Sequence, residues 1–284
     1  MARCITRDCP NEGFIAVPMA DRGGGNGYIC PDCARRNRSY FAENNFRMGE
    51  RKAHKGTCSW ECETSYSTVK GRVELVHFGF MPTHDSTVNC EYKSPIYEGM
   101  CALSKQLVSI EKLMASGDIR IGWECGSHFH VGHAEYINPV TMRYLRRFNG
   151  SLFAELSKVI MADQEKSARF FGRRPNNWSM PVTMTQPSGD YDGDRMEHSV
   201  MFNLQHDYTI EFRQAKFINA KQYMQVAKFA NDCMNAIIEN FIKHFNDTEW
   251  DKARYPKRSD YRKHKAQVAC NKMIKLYEKY TANI

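Results

Sequence analysis

The chain contains no stretch approaching the ~18 consecutive apolar residues that a bilayer-spanning helix needs, so a membrane-embedded protein is not expected. It also has no apolar run near its start. Met1-Ala-Arg-Cys-Ile-Thr-Arg is polar, and a secretory leader is not expected. The eleven cysteines therefore read poorly as an extracellular disulfide framework, and a reducing, cytoplasmic setting is the expectation. A phosphate-binding P-loop is missing too, because no Lys-Ser or Lys-Thr follows Gly23-Gly24-Gly25-Asn26-Gly27. Long internal repeats and established nucleic-acid motifs are likewise absent. A hydrophobic content of 42 % and a charged content of 25 % are ordinary for a globule. At 284 residues, one mid-sized domain plus a small module fits the length.

What is present is a repeated local pattern. Glu61 and Glu63 flank Cys62, His128 and His130 flank Phe129, and Glu211 and Arg213 flank Phe212. In a strand, residues two apart share a face, so each polar pair projects from one side while its apolar neighbour faces a core. Any half-exposed antiparallel strand alternates in this way. Glutamate and histidine are poor strand formers on a plain solvent face, however, and three coincident pairs favour a working surface. Carboxylates and imidazoles converging there would make a divalent-cation site. Without a cation, clustered carboxylates are expected to raise one another's pKa and to destabilise the fold. A fourth segment runs from Asp85 through Glu91 and Ser94-Pro95 to Glu98, reading as a turn, a short strand and a proline-terminated bend.

The order of these motifs resembles the amidoligase family, a branch of the glutamine-synthetase-like carboxylate–amine ligases that includes glutamate–cysteine ligases. The resemblance runs from about residue 56 to 230 and rests on Glu61-x-Glu63, Asp85 with Glu91 and Ser94-Pro95, Cys125-Gly126-x-His128-x-His130, Arg195, Asn203, and Thr209 to Arg213. It implies an α+β domain with a curved antiparallel sheet and helices on its outer face, and an inner face holding magnesium between ATP and an acyl phosphate. By the same resemblance, Glu63, Glu91 and Glu98 would form one magnesium or manganese site, and Glu61, His128 and Glu211 a second. His130, Arg169 and Arg213 would lie toward the nucleotide. Glu211, Arg213 and Arg195 would act in phosphoryl transfer, and Asp85, Arg195 and Asn203 would meet the substrate. The chemistry is consistent: a carboxylate must become an electrophile before an amine can attack it, and phosphoryl transfer is catalysed by positioning and charge neutralisation. Carboxylate and amine substrates follow, though nothing in the chain selects among them.

Residues 1–40 read as a zinc-ribbon-like module. Cys4-x4-Cys9 and Cys30-x2-Cys33 have the arithmetic of a four-thiolate structural zinc site, with a glycine-rich turn before the second pair. Residues 41–250 read as the catalytic domain. Helices are expected through Leu103, Leu107, Ile110 and Met114 with a stop at Gly117, from Asn138-Pro139 through Ile160, and from Tyr223 through Phe245. The loop-like segment from Gly172 to His198 is expected to border the site.

Residues 251–284 carry ten Lys or Arg against three Asp or Glu, a balance of +7 out of the chain's +8. They read as a basic helical tail with an apolar stripe through Val268, Met273 and Leu276. Nucleic acid or an acidic protein is the partner such a tail suggests, and a solvated basic face is the plainer alternative. Two other functions stay open at this stage: a non-catalytic zinc-ribbon nucleic-acid binder, and a hydrolase or acyltransferase with Cys125 as nucleophile.

Overall fold

The structure is a computed structural model that describes residues 2–3, 12–13, 15–18, 26–29, 56–83, 90–94, 96–98, 100–133, 135–176, 179–182, 200–244 and 250–284. Near the start, strands β1 (Ala2–Arg3) and β2 (Glu12–Gly13) pair antiparallel, as do β3 (Ile15–Pro18) and β4 (Asn26–Ile29). Cys4, Cys9, Cys30 and Cys33 lie outside the described residues.

The centre of the molecule is a sheet formed by β5 (Thr57–Thr64), β7 (Met81–Thr83), β8 (Cys90–Lys93), β9 (Tyr97–Glu98), β11 (Ser127–Gly132), β12 (Phe202–Asn203) and β13 (Ile210–Phe212). Its order is β12-β13-β11-β5-β8-β7, with β9 also on β5, and every pairing is antiparallel. A small two-stranded sheet joins β6 (Tyr66–Ser67) to β10 (Ile119–Arg120).

The helices are α1 (Val69–His77), α2 (Met100–Ala115), α3 (Pro139–Arg147), α4 (Asn149–Ala162), α5 (Gln164–Phe171), α6 (Ala220–Asn240) and α7 (Arg258–Thr281). The expected start at Asn138-Pro139 holds. Asn138 accepts from the amides of Val140 and Thr141, Thr141 caps back, and proline occupies the first turn, where its missing N–H costs nothing. Gly117, at φ 72°, follows the end of α2 in the left-handed conformation that only glycine adopts cheaply.

Two expectations are corrected. The long helix from Asn138 to Ile160 is broken at Phe148, whose φ of −111° and ψ of 15° end α3 and begin α4. The helix expected to reach Phe245 ends at Asn240, and a 3-10 turn over Ile242–His244 follows.

Register decides which face does what. Residues directly opposite across a ladder share a face. Trp60, Phe129, Phe212 and Phe202 form one such row. Behind it, Trp60 packs against Phe80, Phe217 and Tyr223 at centroid distances of 5.0–5.5 Å. Tyr223 of α6 also donates its hydroxyl to the carbonyl of Ser127. The helices thus cover the apolar face, and the other face carries the polar pairs. The segment expected to be a tail belongs to this core. Ala266, Ala269, Cys270, Met273 and Tyr277 of α7 are buried in it, with Leu276 packed at its margin.

Candidate functional site

Because β11 sits between β5 and β13, the three polar pairs are brought side by side. His128 stands opposite Glu61, and His130 stands opposite Ser59 on one side and Glu211 on the other. The fourth strand follows suit: Glu91 faces Glu63, and Lys93 faces Glu61. Asn203 on the edge strand faces Glu211. Glu61, Glu63, Glu91, His128, His130, Asn203 and Glu211 therefore share the sheet face opposite the helices, and the Arg213 guanidinium bonds into the same group.

His128 is the hub. Its Nδ1 lies 3.3 Å from Glu61 Oε2 and 3.1 Å from Glu211 Oε1, and its Nε2 is 3.6 Å from Glu63 Oε1. His130 Nε2 is 3.5 Å from Glu61 Oε1, and its Nδ1 is 3.3 Å from Thr209 Oγ1. Glu211 receives Arg213 Nη1 at 2.7 Å on Oε1 and Asn203 Nδ2 at 2.6 Å on Oε2. His206 Nε2 approaches that second oxygen at 3.2 Å. Lys93 Nζ lies 2.9 Å from Glu61 and 3.7 Å from Glu91. Glu63 accepts the amide of Gly126 and donates its own amide to the Gly126 carbonyl. A Cβ on Gly126 would sit 2.7 Å from His128 Nε2 and 3.2 Å from Arg173 Nη1, so glycine is what lets the imidazole and guanidinium approach.

The electrostatics differ from the expectation of mutual carboxylate repulsion. Burial pushes the Glu61 carboxyl up, but hydrogen bonds from His128 and His130 and the Lys93 charge reverse this and hold it well below the usual range. Glu211 behaves alike: burial opposes ionisation, and His128, His206 and Arg213 overcome it. Burial lowers the His128 pKa, yet its bonds to Glu211 and Glu61 raise it to about 9. The face supplies its own cations, which favour the ionised forms of Glu61 and Glu211.

Not every expected residue is here. Glu98 pairs with Thr57, at the far end of β5 from Glu63 and Glu91. At ~3.3 Å per residue that separation is about 20 Å, beyond the span of one shared ion. Arg169 is exposed on α5, which packs in the helical layer with α4 and α6. Asp85 and Arg195 lie outside the described residues. So does most of the 172–198 loop, although its first turn contributes to the site.

That contribution is Arg173, a residue the sequence pattern did not single out for this role. It donates to the carbonyls of Arg213 and Gln214. Burial lowers its pKa to about 10, opposed by the nearby Glu63 charge. Lys93 was missed as well, though Glu91-Tyr92-Lys93 carries the same alternation as the other pairs. His206 lies in the bend between β12 and β13, where no strand period applies.

Among the described residues, two groups could hold a metal ion: Glu61 with His128 and Glu211, and His130 with His206 and Glu211, the candidate ligand atoms of each lying within 4.8 Å of one another. A cleft of about 190 Å³ opens beside them, lined in part by Ser59, Glu61, Lys93, His130, His206 and Thr209. Cys125 is fully buried, and burial pushes its thiol up to about 11, a direction that disfavours the thiolate form. In comparisons with known proteins, no family model matches this chain and no curated protein matches it.

Proposed function

We propose that the protein is an ATP-dependent carboxylate–amine ligase that activates its carboxylate as an acyl phosphate. The observation that carries this reading is the convergence of Glu61, Glu63, Glu91, His128 and Glu211 on one sheet face, with Arg213, Arg173 and Lys93 around them. Carboxylate oxygens with one imidazole suit magnesium or manganese. Glu61, His128 and Glu211 would hold one such ion, and Glu63 and Glu91 would serve another. When bound, the ions offset phosphate charge as Lewis acids.

The remaining chemistry belongs to the chain. A substrate carboxylate oxygen attacks the γ-phosphorus of ATP, and the bond to ADP breaks. The amine nitrogen then attacks the acyl carbon, phosphate leaves, and the amine proton passes to solvent. Arg213 and Lys93 are fixed by their glutamate partners before substrate arrives, so charge spreading over the transferring group meets donors already in place. A glutamine-synthetase-like type for the sheet and structural zinc on Cys4, Cys9, Cys30 and Cys33 are parts of the same proposal and rest on motif order and spacing.

The test is ADP release from ATP over pooled carboxylates and amines, nucleic-acid and protein acceptors included. Magnesium-dependent release is expected, with a loss of roughly 10²-fold or more in Glu211→Gln. Release from no pool, or undiminished release from Glu211→Gln, would overturn the reading.

A further inference from the structure

The Glu211 carboxylate has two oxygens with different surroundings. Oε1 faces His128 and Arg213, within the first donor group, whereas Oε2 faces His206 and Asn203. His130 and His206 meet edge to face with ring centroids 5.0 Å apart, and both border the cleft. We infer that His130, His206 and Glu211 form a second metal position that prefers a borderline transition-metal ion, of the zinc or cobalt(II) kind, to magnesium.

The donor chemistry sets the preference. Two imidazoles and one carboxylate are poor partners for a hard cation that favours an all-oxygen shell, and good ones for zinc and its neighbours. Geometry agrees. Donors about 2.0–2.1 Å from a tetrahedral ion lie roughly 3.4 Å from each other, close to the 3.2 Å between His206 Nε2 and Glu211 Oε2, and the His130 donor lies within 4.8 Å of both. The donors also have partners that hold them in orientation: Thr209 at His130 Nδ1, and Asn203 at Glu211 Oε2. His206 is 43 % exposed at its side chain, so an ion there is reached from the cleft and keeps a coordination position open to a small anionic ligand. Glu211 would bridge the two metal positions. This second position stands on the geometry and does not need the ligase reading.

The experiment titrates cobalt(II) alone into the full chain after chelator treatment. Its visible spectrum separates nitrogen and oxygen ligation from the thiolate ligation expected of Cys4, Cys9, Cys30 and Cys33. Wild type should show a nitrogen- and oxygen-ligated cobalt signal. His206→Gln should weaken the affinity of that signal at least tenfold, and His206→Asp, which restores a donor, should recover part of it. A folding defect would not be rescued in this way. Only thiolate-type spectra in wild type, or equal affinity in His206→Gln, would overturn the assignment. Because no ATP is present, failure of the pooled ADP-release screen would remove the ligase reading and leave this site standing, and the reverse holds equally.

Discussion

At the scale of single residues, Glu211 is 2 % exposed at its side chain yet accepts or faces four donors, from His128, Asn203, His206 and Arg213. Removing its charge leaves Arg213 and His128 facing each other without it. In magnesium-free buffer, Glu211→Gln should therefore lower stability by about 3 kcal/mol, read as a shift in urea midpoint. The opposite expectation, that relieving carboxylate repulsion would stabilise, overlooks Lys93 and Arg173, whose places the sequence did not reveal. His128 supplies a pH signature. Its folded pKa is raised from 6.5 to about 9, so the stability it contributes is complete below 6.5 and is lost as pH climbs to about 9. Magnesium-free wild type should weaken across that window, and His128→Gln should flatten the profile; a flat wild-type profile would contradict the hub role. Gly126→Ala should cost roughly 1–3 kcal/mol by overpacking against His128 and Arg173, measured by the same midpoint.

Elements were legible in the sequence where a period or a cap marked them. The i, i+2 alternation found the face, because strand geometry leaves a side chain only two directions. Boundaries and interruptions were less legible. Along β5, Glu61 to Thr64 pair with 90–93 and Thr57 and Cys58 with 97–98, so the register shifts by one residue between the two ladders. Near this shift Ser94 Oγ accepts the Trp60 amide at 2.9 Å, a side chain standing where a ladder carbonyl would be. Even so, Glu98 stands six positions along β5 from the partner of Glu91, a separation that motif order alone did not disclose. Ser94→Ala should orphan a buried amide and cost about 1–3 kcal/mol by urea titration. The break at Phe148 and the position of His206 in a bend were hidden for a related reason: both are set by tertiary packing rather than by any local period. In α7 the buried stripe runs through Ala266, Ala269 and Cys270 as well as Met273, small residues that a search for large apolar ones passes over.

Across the whole molecule, α7 joins parts far apart in sequence. It lies against α4 and α6, its Cys270 sits at the backbone of Glu155 and Leu156, and Tyr280 donates to Asp232 of α6 at 2.8 Å. Met273→Ala should cost about 2–5 kcal/mol, since a fully buried methionine leaves a cavity that closely packed neighbours fill only in part. The docking of α7 on α4 also has a consequence in time. Ninety-five residues separate the two elements, and at ~5–20 residues per second their synthesis takes on the order of 10 s. Throughout that interval the apolar side of α4 has been made and its cover has not. A nascent chain that has finished its sheet would still present Leu156 to solvent or to a chaperone, and ribosomal pausing before Arg258 would lengthen that exposure.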